Sequence, residues 1–267
     1  MINIEAENLS LGYGRIPVAS GLSFRLTPGQ ITGFVGPNGC GKSTIIKALS
    51  RVLRPLSGRV LVNGRDSAVI SRRELARLIG VVPQVPLLPS TFTGFEVVLM
   101  GRNPHLGFFR YEGEGDMRVA MKAMQATRTE HLAGRRIGEL SGGEIQSVVI
   151  ARVLAQETEV VLLDEPTSNL DIGRQIYILD LMRELCQRGV TVGVALHDLN
   201  LAAQYCDRLL LLCGGKIVAE GAPVGVITQQ NIRTVYGAGS AVYCVDGLPA
   251  VLPRPGRLAD SDGLGGS

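Results

Sequence analysis

Tryptophan is missing from this chain, and aromatic residues make up only 4% of it. That leaves little with which to stack the bases of a single-stranded nucleic acid. The 27 Lys and Arg are nearly balanced by 24 Asp and Glu, for a net charge of +3, and they form no basic block. No nucleic acid is therefore expected as a partner. The cysteines, Cys40, Cys186, Cys206, Cys213 and Cys244, are odd in number and show no C-x-x-C spacing. They read as free thiols of a reducing compartment, which excludes a disulfide framework and a zinc site. Long hydrophobic runs are also lacking. Val160–Leu163, Val190–Leu196 and Leu209–Cys213 fall far short of the roughly 20 residues of a membrane span. Met1 to Glu5 carries neither the basic nor the apolar region of a signal peptide. Any membrane role is expected to come through a partner.

What is present is a chain of 267 residues, 45% apolar and 19% charged, with ample length for a buried core. One stretch organises it: Gly36-Pro37-Asn38-Gly39-Cys40-Gly41-Lys42-Ser43-Thr44. The spacing G-x-x-x-x-G-K-[ST] is that of a phosphate-cradling loop. An apolar run, Ile31 to Val35, precedes it as a strand, and Ser43 to Arg51 follows as a helix. Backbone N–H groups in such a turn point at phosphate oxygens, and the helix dipole favours their charge. Lys42 is the candidate for the β- and γ-phosphates and the Ser43 hydroxyl for Mg²⁺.

Around that loop the pattern is α/β. Ile2, Ile4 and Ala6, then Leu22, Phe24 and Leu26, alternate with polar residues and predict antiparallel strands. Tyr13, between Gly12 and Gly14, is expected at an exposed loop tip where it can stack on a base. Arg59–Gly64 reads as a strand with an Asn-Gly turn, Arg72–Leu78 as a helix and Ile79–Val82 as a strand ending at Pro83-Gln84. From Pro86 to about Leu140 the character changes to helical spacing, with helices over Phe95–Arg102 and Asp116–Ala126. Continuous apolar strands then return at Val160–Leu163, Val190–Leu196 and Leu209–Cys213, separated by helices over Gly173–Arg188 and Leu199–Tyr205. That rhythm predicts a doubly wound parallel sheet. The Gly/Asp/Ser tail from Asp260 to Ser267 is expected to lack order.

Three further features carry chemistry. Asp164-Glu165 ends a buried strand, where catalytic groups of a parallel sheet gather. Asp164 suits Mg²⁺ and Glu165 a general base toward water. His197 ends the next strand and can reach a γ-phosphate or its water. Leu140-Ser141-Gly142-Gly143-Glu144 opens an apolar-periodic helix. Ser141 and Glu144 fit a capping box, while Gly142-Gly143 bare a second helix start to an anion. Two phosphate-binding helix starts in one chain suggest two copies meeting head to tail.

Together these stretches resemble the nucleotide-binding subunit of an ABC transporter, over roughly residues 1–240. Gly36–Thr44 is similar to Walker A, Gln84 to the Q-loop, Leu140–Gln146 to the signature and Val160–Glu165 to Walker B. Ser168-Asn169-Leu170-Asp171 is similar to the D-loop, His197 to the H-loop and Tyr13 to the adenine-stacking aromatic. The resemblance implies a P-loop NTPase core with an N-terminal antiparallel β-subdomain and an inserted α-helical subdomain at 85–140. Residues 241–267 would form a short C-terminal extension. It implies ATP and Mg²⁺ as cofactors, with Ser43, Gln84 and Asp164 toward the metal and Glu165, His197 and Gln84 in catalysis. Nucleotide contacts would come from Tyr13, the whole loop from Gly36 through Pro37, Asn38, Gly39, Cys40, Gly41, Lys42 and Ser43 to Thr44, and Ser141, Gly142, Gly143, Glu144 and Asp171. The implied partners are a second copy, closing two ATPs between Walker A and signature, a membrane permease that inserts a helix into a groove near Gln84, and indirectly a substrate-binding protein. The implied place is the cytoplasmic face of the inner membrane.

Softer stretches are similar to importers of iron chelates, haem and cobalamin: Ala195–Ala202, Leu75-Ala76-Arg77, Gly101–His105, Val235-Tyr236-Gly237 and Leu252-Pro253. Molybdate or another metal ion is the alternative cargo, and a soluble non-transport ATPase or a P-loop kinase the alternative activity. The chain departs from the family where Arg-Gln-Arg often follows the signature; here stand Ile145-Gln146-Ser147. Cys40 is a further departure. Lys42 and the helix start are expected to favour its thiolate, so that alkylation blocks hydrolysis.

Overall fold

The computed structural model describes residues 2–14, 16–107, 111–168, 170–237 and 239–254. In chain order the elements are β1 (Ile4–Tyr13), β2 (Ile16–Leu26), β3 (Ile31–Val35), α1 (Lys42–Leu49), β4 (Ser57–Val62), β5 (Arg65–Asp66), α2 (Arg72–Leu78), β6 (Ile79–Val82), α3 (Gly94–Leu99) and α4 (Glu114–Ala126). There follow α5 (Gly142–Ala155), β7 (Val160–Asp164), α6 (Ile172–Gln187), β8 (Thr191–Ala195), α7 (Leu199–Tyr205), β9 (Arg208–Cys213), β10 (Lys216–Gly221), α8 (Pro223–Val226), α9 (Gln229–Tyr236), β11 (Ser240–Val245) and β12 (Leu248–Pro253).

The alternating N-terminal residues build a four-stranded antiparallel sheet in the order β2-β1-β4-β5. Ile4 pairs with Leu26 on one side and Val62 on the other. The continuous apolar runs build a six-stranded sheet, β10-β9-β3-β8-β7-β6, parallel except for β10. Every residue of β3, β7 and β8 is buried, because both faces of this sheet are covered. Phe34, Val160 and Leu162 point into the layer shared with the antiparallel sheet and α1. Ile31, Val35, Val161 and Leu163 point into the layer packed by α5 and α6. The period-2 geometry of a strand thus divides each apolar run between two cores.

A third apolar cluster joins α3 and α4 to α5, through Val97, Val98, Ala120, Met124, Val148 and Ala151. The helix expected over Phe95–Arg102 is shorter than its pattern: α3 stops at Leu99 and Met100–His105 tightens into a 3₁₀ segment. Gly101 there lies against the Arg152 carbonyl, where no Cβ fits, and Pro104 has no N–H to continue a ladder. The expected tail at Asp260–Ser267 lies outside the described residues. The C-terminal extension holds a hairpin, β11–β12. Asn200 on α7 fixes it by donating to the Val251 carbonyl and accepting from the Val251 N–H. Among the described residues, no helix is long and apolar enough to cross a membrane.

Candidate nucleotide site

The loop between β3 and α1 turns through glycines in the left-handed region, with φ of 147° at Gly36, 77° at Gly39 and 108° at Gly41. Gly36 also packs against the Leu212 carbonyl, so a side chain there would collide with β9. Gly41 precedes α1 and no side chain caps that helix. Its first N–H groups are thereby left to the loop's ligand. Lys42 folds back over the loop and donates to the Gly36 and Pro37 carbonyls at 2.8 and 3.0 Å. A cation held by two carbonyl oxygens and, at 4.0 Å, the Cys40 sulfur is ready to exchange them for phosphate oxygens.

Opposite the loop stand the ends of β7 and β8. Ser43 Oγ donates to Asp164 Oδ1 at 2.8 Å. Asp164 is 4% exposed, and burial pushes its carboxyl up against the opposing hydrogen bond from Ser43. Glu165 turns the chain with φ of 51°, unusual for a residue with a side chain. That turn aims its carboxylate sideways, where Gln84 Nε2 donates to Oε2 at 2.6 Å and His197 Nε2 lies in ion-pair contact with Oε1. Three separate strand ends, those of β6, β7 and β8, thus meet on one carboxylate. Tyr13, 49% exposed at the end of β1, closes the outer side with Lys47, whose Nζ lies 3.3 Å from the Tyr13 hydroxyl. The cleft so formed has a volume of about 540 Å³ and is lined by Tyr13, Lys42, Ser43, Gln84, Glu165 and His197, with Asn38, Gly39, Gly41 and Thr44 along its floor.

Ser43 and Asp164 offer two hard oxygens side by side. That donor set fits Mg²⁺, which keeps waters and phosphate oxygens and needs few protein ligands. Among the described residues no group of three His, Cys, Asp or Glu could hold a metal. Gln84 gives its amide nitrogen to Glu165, and its amide oxygen would be a further donor of the same kind.

The second set of expected residues lies elsewhere. Ser141 caps α5, with its N–H and hydroxyl donating to Glu144 Oε2, both at 2.8 Å, and the Glu144 N–H donating back to Ser141 Oγ. These bonds hold the Glu144 carboxyl below its usual range, helped by Arg135 and Arg174. Gly143 passes under Arg174, which is tied to Asp171 at the cap of α6. Glu144 and Asp171 share a separate depression that contains none of the P-loop residues. Asn169 lies outside the described residues.

One expectation is corrected. The Cys40 side chain faces the core and not the cleft. It is 5% exposed, and burial pushes its thiol up, outweighing the opposing pull of Lys42. Its backbone stays in the loop. Lys47 and Val18 line or edge the cleft without having been singled out. Lys47 follows Lys42 by more than a helical turn, and the folded position of Tyr13 gives it a partner.

A glycine loop opening a helix beneath a parallel sheet, with a carboxylate pair facing it, defines a P-loop nucleotide hydrolase. Residues 19–168 match the family described as ABC transporter. The chain is 43% identical to the ferric enterobactin transport ATP-binding protein FepC of Escherichia coli (strain K12) over 261 residues, covering 97% of this chain and 96% of the relative. It is 40% identical to the hemin import ATP-binding protein HmuV of Myxococcus xanthus (strain DK1622), covering 95% and 97%. Its fold superposes on a metal-chelate type ABC transporter in an inward-facing conformation with a TM-score of 0.80 at 31% identity, covering 94% and 97%. The chain belongs to the ABC transporter family as an ATP-binding cassette, and its activity is the hydrolysis of ATP to ADP and phosphate.

Proposed function

We propose that this chain is the ATP-hydrolysing subunit of an importer for an iron chelate or haem, with cobalamin the next cargo class. It works as a homodimer at the cytoplasmic face of the inner membrane, beneath a separate permease that a substrate-binding protein supplies. The observation that carries the chemistry is the Glu165 carboxylate held between Gln84 and His197 across the cleft from Lys42. The full-length likeness to FepC and HmuV supports the cargo class.

In this reading Tyr13 stacks the adenine, and the free N–H groups from Gly36 to Thr44 take the phosphates. Lys42 leaves its two carbonyls for the β- and γ-phosphates. Mg²⁺, held by Ser43, Asp164 and Gln84, supplies charge neutralisation to the phosphates when bound. Glu165 accepts the proton of the attacking water, and His197 and Gln84 fix the direction its free lone pairs face. Ser141, Gly142 and Gly143 of the partner copy, flanked by Glu144 and Asp171, close the γ-phosphate side. Hydrolysis then requires two chains.

The test is Glu165→Gln. The variant keeps its shape and accepts from Gln84 through its oxygen, while its amide nitrogen must donate to His197 Nε2 in the other tautomer, and it cannot take a proton. ATP binding within two-fold of wild type, steady-state phosphate release reduced at least a hundred-fold, and a dimer trapped by ATP are expected. Phosphate release at the wild-type rate would remove Glu165 as the base.

A further inference from the structure

The first two turns of α5 carry no cation, since Ile145 and Ser147 stand where arginines are common. Ser147 turns back on its own helix and donates to the Gly143 carbonyl at 3.0 Å. It lines the depression shared by Glu144 and Asp171, about 430 Å³ in volume, between the starts of α5 and α6 and the segment after α4. Positive charge reaches this helix start from other elements instead.

Three arginines stand around it, and they differ in what holds them. Arg135 donates to the Glu139 carbonyl at 2.7 Å and pairs with Glu144 at 3.3 Å. Arg128 lies over the Tyr177 ring, 4.2 Å from its centre. Arg174, in the first turn of α6, has no acceptor within hydrogen-bond distance of its guanidinium among the described residues. Its ion pair with Asp171 spans 3.6 Å, between side chains that are 48% and 68% exposed. An exposed pair of that length is worth little and exchanges readily. Asp171 is also engaged as the cap of α6, where its Oδ1 accepts from the Arg174 N–H at 3.0 Å. The Arg174 guanidinium lies beside Gly143: a Cβ on Gly143 would come within 2.9 Å of Arg174 Nη1 and 3.1 Å of Leu170. Glycine at 143 thus lets a cation from α6 come up to the start of α5, where the Gly142 and Gly143 N–H groups precede the helix ladder.

We propose that Arg174 acts in trans, as the cation that binds the γ-phosphate of the nucleotide held by the second copy. The inference rests on the homodimer reading and adds to it a charged side chain that each copy lends the other. Ser141 and two neutral N–H groups can orient a phosphate, but the Glu144 carboxylate, bonded to Ser141, offsets the positive field of that helix start. Arg174 restores it. A guanidinium is planar, stays charged and offers paired donors that match two phosphate oxygens. Charge building on those oxygens during hydrolysis is then met from both sides, by Lys42 of one chain and Arg174 of the other.

The test compares Arg174→Met, which keeps an unbranched stem over Gly143 and removes the charge, with Arg174→Lys. ATP affinity of each isolated chain should lie within two-fold of wild type, because Arg174 does not line the P-loop cleft. In a Glu165→Gln background, sedimentation with ATP should show the Met variant dimerising at least ten-fold more weakly than the parent and the Lys variant within three-fold of it. With Glu165 intact, phosphate release at saturating ATP should fall at least ten-fold in the Met variant and less than three-fold in the Lys variant. A Met variant that dimerises and hydrolyses like its parent, or a Lys variant as impaired as Met, overturns the contact, while the parent's ATP-dependent dimer upholds the homodimer reading. Loss of ATP affinity in the isolated Met variant would put Arg174 on its own chain's nucleotide and overturn the contact as well. A Glu165→Gln parent that stays monomeric with ATP overturns the homodimer reading and the contact with it.

Discussion

Asp164 is worth less to the fold than to the reaction. Its carboxyl is pushed above the ordinary value near 3.8, mainly by burial. A raised carboxyl binds its proton more tightly in the folded chain, so stability from this group falls as pH climbs from that value through the folded one, and the penalty is complete once pH exceeds the folded value. Asp164→Asn should therefore raise the melting temperature of the nucleotide-free chain by a few degrees while hydrolysis is lost; calorimetry showing a lower melting temperature would contradict this. Cys40 makes the converse point. Its thiol is buried and raised, whereas Cys244 is exposed. With a maleimide at pH 7, mass spectrometry should find Cys244 modified at least ten-fold faster than Cys40, and equal rates would put the Cys40 thiolate back at the loop surface. Most of the site was legible because backbone chemistry fixes its spacing: Gly36 to Thr44 must be where it is for N–H groups to converge. The direction of the Cys40 side chain was not legible, since packing against Gly36 and β9 decides it.

The strands of the parallel sheet could be read almost to the residue, because burial on both faces demands an unbroken apolar run such as Val160–Leu163. The β11–β12 hairpin could not. Its residues Tyr243, Val245 and Leu252 are exposed, so no alternation marks an inner face, and its anchors are two side chains on helices: Gln229 of α9, which donates to the Ser240 carbonyl and accepts from the Val242 N–H, and Asn200 of α7. Asn200 satisfies both backbone groups of Val251, and α7 begins directly after His197-Asp198. Asn200→Ala should cost about 1–2 kcal/mol by leaving the Val251 groups unpaired. Hydrogen exchange should then quicken in β12 while β3 and β8 keep their protection. Quickening throughout the parallel sheet would mean that the hairpin belongs to the core.

The molecule as a whole carries a P-loop on one face and a signature on another, and the two do not share a cavity. That duplication alone suggests head-to-tail pairing, but which residues surround each half, such as Arg174 over Gly143, depends on how α5 and α6 pack. Ser141→Arg should leave ATP affinity of the isolated chain within two-fold and abolish the ATP-dependent dimer in a Glu165→Gln background; sedimentation showing an unaltered dimer would separate α5 from the interface. The box formed by Ser141 and Glu144 has a further meaning here. The start of α5 already holds an anion of its own, the depressed Glu144 carboxylate. Free phosphate in the cell must compete with that internal occupant and gains little by doing so. In the proposed head-to-tail dimer, a γ-phosphate fixed on a docked partner would arrive at a far higher local concentration. The cap would then act as a filter that favours nucleotide delivered by the second copy over free phosphate.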